Sequence, residues 1–195
     1  MKKILSICLS LIILAGVGYR VYKLFGGGDE GQKAMDLYNS GHYVEARAAF
    51  LKLANDGNSG AAFNLGLMNE KGEGGPADYA QAAQWYRKAA DGGDKDAMFD
   101  LGQLYDKGQG VTKSDTDAFN WYQKAANHDL ASAKVNLGVM YANGQGITQN
   151  MVEAQKWFIL AGDAGAKNRD ILSKSLTPDQ IAQAQQSAKN WKPSN

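Results

Sequence analysis

The chain has 195 residues, of which 44% are hydrophobic and 21% are charged, values typical of a folded globular protein and unlike those of a disordered one. The net charge of +1 is uneven, because residues 1–25 carry four basic side chains and no acidic one, which leaves −3 on the rest of the chain. Because residues 26–195 carry a net negative charge, the sequence argues against the basic surface that nucleic-acid binding needs. The single cysteine, Cys8, excludes an internal disulfide and a cysteine-based metal site.

The N-terminal segment, residues 1–25, has the pattern of a signal-anchor or a signal peptide. Two lysines precede sixteen uncharged residues, 4–19, and Arg20 follows them. We expect a single-pass helix over about 4–25 in a bacterial inner membrane, with the rest of the chain facing the periplasm. The alternative is cleavage of residues 1–25, which would leave a periplasmic or secreted protein. Residues 26–30, which include three consecutive glycines, are expected to form a flexible linker.

A repeat with a period of 36 residues fills the middle of the chain. Leu65-Gly66 recurs twice at this interval, and so do a G-x-G element and an aromatic pair that begins with tryptophan. The recurring positions are Ala61, Ala97 and Ala133; Gly66, Gly102 and Gly138; Gly72, Gly108 and Gly144; Gly74, Gly110 and Gly146; and Trp85, Trp121 and Trp157. So many coincidences at one interval indicate stacked copies of one structural unit.

Each unit is predicted to be a hairpin of two helices. In the first full copy, alanine, leucine and methionine at helical spacing predict a first helix over about 59–71, and the glycines after it can adopt the left-handed conformation that ends a helix. A second helix is predicted over about 78–91. One hairpin cannot bury its apolar surface alone, so the units are expected to stack.

These residues closely resemble the Sel1-like repeat, a subclass of the tetratricopeptide superfamily, in the A-x3-L-G, G-x-G and A-x2-W-[YF] elements. The resemblance implies an all-α, right-handed α-solenoid of stacked helix-turn-helix repeats, preceded here by the N-terminal apolar helix. The expected units are a degenerate tetratricopeptide-like repeat at 31–58, full repeats at 59–94, 95–130 and 131–167, and C-terminal capping helices at 168–195. In the last of these, Thr177 and Gln180 form a predicted capping box.

Two positions depart from the repeat pattern. Asn69 replaces the tyrosine found at Tyr105 and Tyr141, and Gly162 replaces an alanine. Neither substitution is expected to interrupt the stack.

The motifs that resemble catalytic or ligand sites have simpler explanations. The segment 108–114 ends like a phosphate-binding loop, but it follows a predicted helix and lacks the glycine that should precede its lysine. His42 and His128 lie in separate turns and have no ligand-like spacing, so no metal and no cofactor are expected.

The acidic residues Asp96, Asp100 and Asp106 are expected to form a solvated face rather than an acid–base pair. No nucleophile motif is present in the sequence. We therefore expect no enzymatic activity.

The candidate binding residues form a ladder, defined as Asn64, Asp100 and Asn136, which precede the three Leu-Gly pairs. The resemblance implies that this register lines the concave groove, where an amide could bind the backbone of an extended peptide. One position earlier, apolar contact would come from Phe63, Phe99 and Val135. The alternative is that the ladder only joins neighbouring helices.

The function expected from this resemblance is that of a membrane-associated or exported adaptor that binds a protein or peptide partner. Two alternatives come from the same family. One is a secreted effector. The other is a β-lactam-binding or hydrolysing protein, which is disfavoured because such relatives use paired cysteines that residues 26–195 lack.

Overall fold

The computed structural model describes residues 28–193. The predicted membrane helix over 4–25 lies outside the described residues. Within 28–193, no helix is both long enough and apolar enough to cross a membrane. The helices are α1 (Gly28–Asn39), α2 (Tyr43–Asn55), α3 (Ser59–Lys71), α4 (Tyr79–Asp91), α5 (Lys95–Lys107), α6 (Asp115–Asn127), α7 (Ala131–Asn143), α8 (Met151–Leu160), α9 (Ala166–Ser173) and α10 (Pro178–Asn190), with a 3₁₀ turn at Gly162–Gly165.

The helices pair into four consecutive hairpins: α1 with α2, α3 with α4, α5 with α6, and α7 with α8. The second helix of each hairpin then packs on the first helix of the next one. A contact pattern confined to neighbours is that of a solenoid, so the predicted all-α stack of helical repeats is confirmed.

The helices begin at 36-residue intervals because the residues that cap them recur at that interval. Asn58 and Asp94, 36 residues apart, cap the first helices α3 and α5 by accepting backbone N–H bonds. Asp78, Ser114 and Asn150, at the same interval, cap the second helices α4, α6 and α8. Each cap satisfies an N–H group that has no partner inside its helix.

A glycine in each first helix lets the aromatic ring of its second helix approach the helix backbone. A Cβ added at Gly66 would lie 2.4 Å from the Tyr86 ring, and one at Gly102 would lie 2.7 Å from the Tyr122 ring. Gly138 faces Phe158 in the same way. These three contacts explain why glycine recurs after leucine at the 36-residue interval.

The two glycines of each G-x-G turn have different structural roles. The first, as at Gly108 (φ +68°), ends the first helix and donates its N–H to the Leu104 carbonyl. The second, Gly110 (φ +69°), lies against the backbone at Tyr79, the first residue of the second helix in the preceding unit. Gly74 contacts Tyr43 and Gly146 contacts Asp115 in the same way. The second glycine therefore fixes the distance between consecutive repeats.

The N-terminal end of the array differs from the later units in two respects. Its α1 begins at Gly28, inside the segment predicted as linker, and Glu30 in its first turn is ion-paired with Lys52 of α2 at 3.1 Å. The other difference involves Asn69, at the position where later units have tyrosine. The buried Asn69 side chain accepts a hydrogen bond from the Arg47 guanidinium at 2.7 Å and donates to the Leu65 carbonyl at 2.8 Å. The Asn69 departure is thus accommodated by a polar partner in α2.

The C-terminal end of the array departs from the period at Gly162. This residue has φ +61°, and α8 ends at Leu160 after 10 residues, whereas α4 and α6 have 13. A residue in the left-handed conformation cannot continue an α-helix. The stack is not broken, because α10 packs along α8, and the predicted capping box of Thr177 and Gln180 is present.

A buried lysine joins α7 to the end of the chain. Lys134 is 4% exposed, and its ammonium contacts the Asp129 carboxylate, the Leu160 carbonyl at 3.2 Å and the face of the Trp191 ring at 4.5 Å. Asp129 has φ +62°, at a position where the earlier units have glycine. The ion pair lowers the pKa of the Asp129 carboxyl below its usual value, first through the hydrogen bond from Lys134 and then through its charge.

Candidate binding face

The ladder residues occupy the same register on α3, α5 and α7 and differ in exposure. Asn64 is completely buried, Asp100 is 5% exposed, and Asn136 is half-buried. We call the surface formed by this register and the position before it the helix-A face. The helix-A face is therefore covered near its N-terminal end and more accessible at α7.

Contacts of the ladder link it to neighbouring helices. The Asn64 amide lies 3.7 Å from the Met35 sulfur of α1. The Asn136 side chain of α7 lies close to the Tyr122 hydroxyl of α6 and lowers the pKa of that phenol. Asn136 thus combines proximity to α6 with a partly accessible surface.

Two carboxylates of α5, Asp100 and Asp106, lie near the Tyr122 hydroxyl. Burial raises the pKa of the Tyr122 phenol well above its usual range, and the charges of Asp106 and Asp100 raise it further. Both carboxylates therefore act on one point between α5 and α7. The predicted interpretation of these acids as a solvated face is incomplete, because Asp100 is buried and Asp106 is half-buried.

The apolar residues predicted beside the ladder pack on the second-helix aromatics. The Phe63 ring lies 5.9 Å from the Tyr86 ring, and the Phe99 ring lies 5.5 Å from the Tyr122 ring, measured between centroids. Phe63 is buried, whereas Phe99 and Val135 are half-buried. Only the last two present apolar surface beside the ladder.

Sequence reasoning missed a tyrosine–acid pair at the base of this face. The Tyr86 hydroxyl donates to the Glu70 carboxylate at 2.7 Å, and Asp106 lies near Tyr122 at the equivalent place in the next unit. The signal was available, since Glu70 and Asp106 are 36 residues apart, as are the two tyrosines. The third unit has Phe158 and no acidic partner.

The other motifs are accounted for by local structure. The 108–114 segment connects α5 to α6, with Ser114 as a helix cap. His42 precedes α2 and contacts Ser40, and His128 ends α6. In the described part of the chain, no group of three or more acidic, histidine or cysteine residues is placed to hold a metal ion.

Comparison with known proteins agrees with this architecture. The sequence matches the Sel1 repeat over 59–94, 95–130 and 131–165, which together cover more than half of the chain. No curated protein sequence matches the chain.

The solved structures that are similar to the chain include two repeat proteins from bacteria. One is c5321, a protective antigen of uropathogenic Escherichia coli with an SLR fold, which is 31% identical with a TM-score of 0.69. That match covers 82% of this chain but 38% of the E. coli protein. The other is a Sel1 repeat protein from Oxalobacter formigenes, 27% identical with a TM-score of 0.70, and that match covers 80% of this chain and 68% of the other. Sel1 repeats form protein–protein interaction scaffolds, and the chain belongs to the Sel1 repeat family.

Proposed function

We propose that the protein is a membrane-anchored scaffold whose helix-A face binds an extended segment of a protein partner. Residues 4–25 would form the anchor, and the repeats would lie on the periplasmic side of a bacterial inner membrane. The observation that carries the binding proposal is the repetition of hydrogen-bonding side chains at one register of successive helices: Asn64, Asp100 and Asn136. Regularly spaced hydrogen-bonding side chains suit a regularly spaced peptide backbone.

The accessible end of the ladder supports this proposal. Asn136 is half-buried, with Val135 beside it and Phe99 on the neighbouring first helix, so polar and apolar contacts are available together. A peptide backbone over Asn136 would have a hydrogen-bonding partner and an apolar surface. This combination is usual for peptide grooves, in which a few polar groups orient the ligand and apolar contact adds affinity.

The test is affinity capture from the native host with the full chain as bait. We expect a variant with Asn64, Asp100 and Asn136 all changed to Ala to lose partners that the wild type captures. Because two of these residues are buried, the variant must first be shown by circular dichroism to be folded. The matched control is Gln84→Ala with Asn120→Ala, two exposed side chains on second helices. Capture of every partner by a folded triple variant would refute groove binding.

A second comparison separates a binding role from a structural one. Tyr122→Phe removes the hydroxyl that lies close to the Asn136 side chain but leaves the amide in place, whereas Asn136→Ala removes the amide. If the amide contacts the partner, Asn136→Ala weakens capture and Tyr122→Phe retains it. Equal losses in the two variants would assign the amide only an inter-helix role.

The proposed anchor has its own test. Membranes containing the full chain would be extracted with alkaline carbonate, and the protein would be weighed by intact mass spectrometry. An anchored protein stays in the pellet with residues 1–25 attached. Release of a shortened soluble protein would refute the anchor and favour the periplasmic or secreted alternative, including a secreted effector.

The scaffold role is proposed without catalysis. Residues 26–195 contain no cysteine, so they lack the paired cysteines expected of a β-lactam-hydrolysing relative. Purified full chain is expected to leave nitrocefin intact over hours. Turnover above that of a heat-denatured sample would overturn this part of the proposal.

A further inference from the structure

An exposed apolar stripe runs along the outer side of α2. We call it the α2 stripe; it consists of Val44, Ala48 and Leu51, which follow one another at helical spacing. Val44 is 68% exposed and Leu51 is 43% exposed. The buried residues of α2, among them Ala46 and Phe50, lie on the opposite side of the helix, so the stripe faces away from the array. Apolar side chains scattered singly on a surface are ordinary, whereas a row of them on one helix indicates a contact.

The α2 stripe belongs to the N-terminal unit and is not a general property of the repeat. The equivalent positions of the next two second helices are mostly polar: Ala80, Gln84 and Arg87 in α4, and Thr116, Asn120 and Gln123 in α6. In α8 these positions are Val152, Lys156 and Ile159, all half-buried. The outer side of α2 therefore differs from that of α4 and α6 in composition and from that of α8 in exposure. A contact made through the stripe would involve the N-terminal end of the array.

This end of the array is the one nearest the proposed anchor. Helix α1 begins at Gly28, and the chain from residue 25 to residue 28 can span at most about 11 Å. Lys52 of α2 is ion-paired at 3.1 Å with Glu30, in the first turn of α1, so Leu51 lies near the start of α1. The headgroup region of a bilayer is roughly 5–7 Å deep on each side. If residues 4–25 span the membrane, the C-terminal end of α2 would therefore lie at the membrane surface.

The charged residues beside the stripe have partners within the protein. Lys52 is paired with Glu30, and the Arg47 guanidinium donates a hydrogen bond to Asn69. Contact through the stripe would therefore gain mainly from burial of apolar area and little from attraction to charged lipids. Amphipathic helices at membrane surfaces bury an apolar face about 5–10 Å into the boundary between headgroups and acyl chains. The location of the stripe and its apolar character together favour lipid as its occupant.

We propose that the α2 stripe lies in the interfacial region of the membrane that the anchor spans, with Val44, Ala48 and Leu51 in contact with lipid. This inference rests on the proposed function, since it requires the anchor at residues 4–25. Because α1 and α3 pack on the buried side of α2, this contact would place both helices on the side away from the lipid. The helix-A face would then be accessible to a partner in the periplasm.

The experiment compares two labelled sites in the full chain, reconstituted in vesicles of phosphatidylethanolamine and phosphatidylglycerol mixed three to one. Ala48→Cys places a label in the stripe, and the matched control Asn120→Cys places it at the equivalent position two repeats later. Both proteins would also carry Cys8→Ser, so that only the introduced thiol reacts with the fluorophore NBD. We expect nitroxide-labelled lipids to quench the label at residue 48 and not the one at residue 120. We expect aqueous iodide to quench the label at residue 120 several-fold more strongly.

A further substitution tests the stripe itself. Adding Leu51→Asp to the Ala48→Cys protein should reduce quenching by lipid and increase quenching by iodide, because a carboxylate is costly to remove from water. The control Gln123→Asp adds the same charge at the equivalent position of α6 and should leave both signals at residue 48 unchanged. Equal effects of the two substitutions would overturn the proposal, because they would show a non-specific effect of the added charge.

Alkaline carbonate extraction of the same vesicles separates failure of the stripe contact from failure of the anchor. A chain that stays in the pellet, with the labels at residues 48 and 120 quenched alike, would overturn the stripe contact and leave the anchor standing. Release of the chain would overturn both. Protection of residue 48 from iodide without quenching by the nitroxide lipids would show that protein covers the stripe. That result, whether the cover is a second copy or residues 1–25, would also overturn the proposal.

Discussion

Gly110 provides the most direct test of how consecutive repeats are held together. Its Cβ position lies 2.2 Å from the Tyr79 carbonyl carbon of the preceding unit, whereas non-bonded carbon atoms normally lie about 3.5–4.0 Å apart. Gly110→Ala must therefore move the two repeats apart by more than 1 Å. The contact is with backbone, so no side chain can rotate away to relieve it.

The expected loss in the free energy of unfolding for Gly110→Ala has two parts. Alanine at φ +69° costs roughly 1–2 kcal/mol, because an L side chain fits poorly in the left-handed region. A gap of 0.5–1 Å forfeits a quarter to a half of the contact energy across an interface, so separating the units adds a further few kcal/mol. We expect a total loss of about 4 kcal/mol in the free energy of unfolding, or about 8–16 °C in melting temperature for a domain of this size.

The control is Gly93→Ala. Gly93 also has positive φ, at +86°, but a Cβ there would meet nothing within 4 Å. This variant should lose only the conformational part, about 1–2 kcal/mol. Both variants would be unfolded in urea and followed by circular dichroism and by tryptophan fluorescence, because coincident transitions are needed for a two-state free energy. If the two variants lost equal stability, Gly110 would have no role beyond its backbone conformation.

Two further predictions concern contacts within units. Gly102→Ala should destabilise the protein by about 1–3 kcal/mol, because the added methyl group overpacks against Tyr122. The control Gly31→Ala, which has open space around it, should raise stability by about 0.5–1 kcal/mol. Equal effects of the two substitutions in urea unfolding would refute the close-packing role of Gly102. Because Lys134 lowers the pKa of Asp129, the ion pair stabilises the fold above about pH 4, and this stabilisation is lost as the pH falls through the lower folded value. Asp129→Asn should therefore flatten the pH dependence of stability below about pH 4, and an unchanged slope would contradict the ion pair's contribution.

The fold was predictable because helix caps, glycine turns and aromatic pairs all recur at the same 36-residue interval. The expected first helix over 59–71 is observed as Ser59–Lys71, and the expected second helix over 78–91 as Tyr79–Asp91. Because these features repeat together, the secondary structure at an ambiguous position can be assigned from the equivalent position in the next unit. The C-terminal end was less predictable, because Gly162 shortens α8 and the period stops there.

The candidate site was predictable in register and not in exposure. Spacing alone places Asn64, Asp100 and Asn136 at equivalent positions, but it contains no information on how far each is covered. Exposure depends on long-range packing, which differs between the ends and the middle of an array.

The second turn glycines also bear on how such arrays evolve. Gly74, Gly110 and Gly146 meet only backbone at the start of the preceding second helix, and the residues there are two tyrosines and an aspartate. A junction made by a glycine and a main chain does not depend on the side chain that receives it. At this contact, therefore, duplication or reordering of units by recombination requires no matching side-chain change in the neighbour, whereas the hydrogen bond between Arg47 of α2 and Asn69 of α3 does require a matched pair.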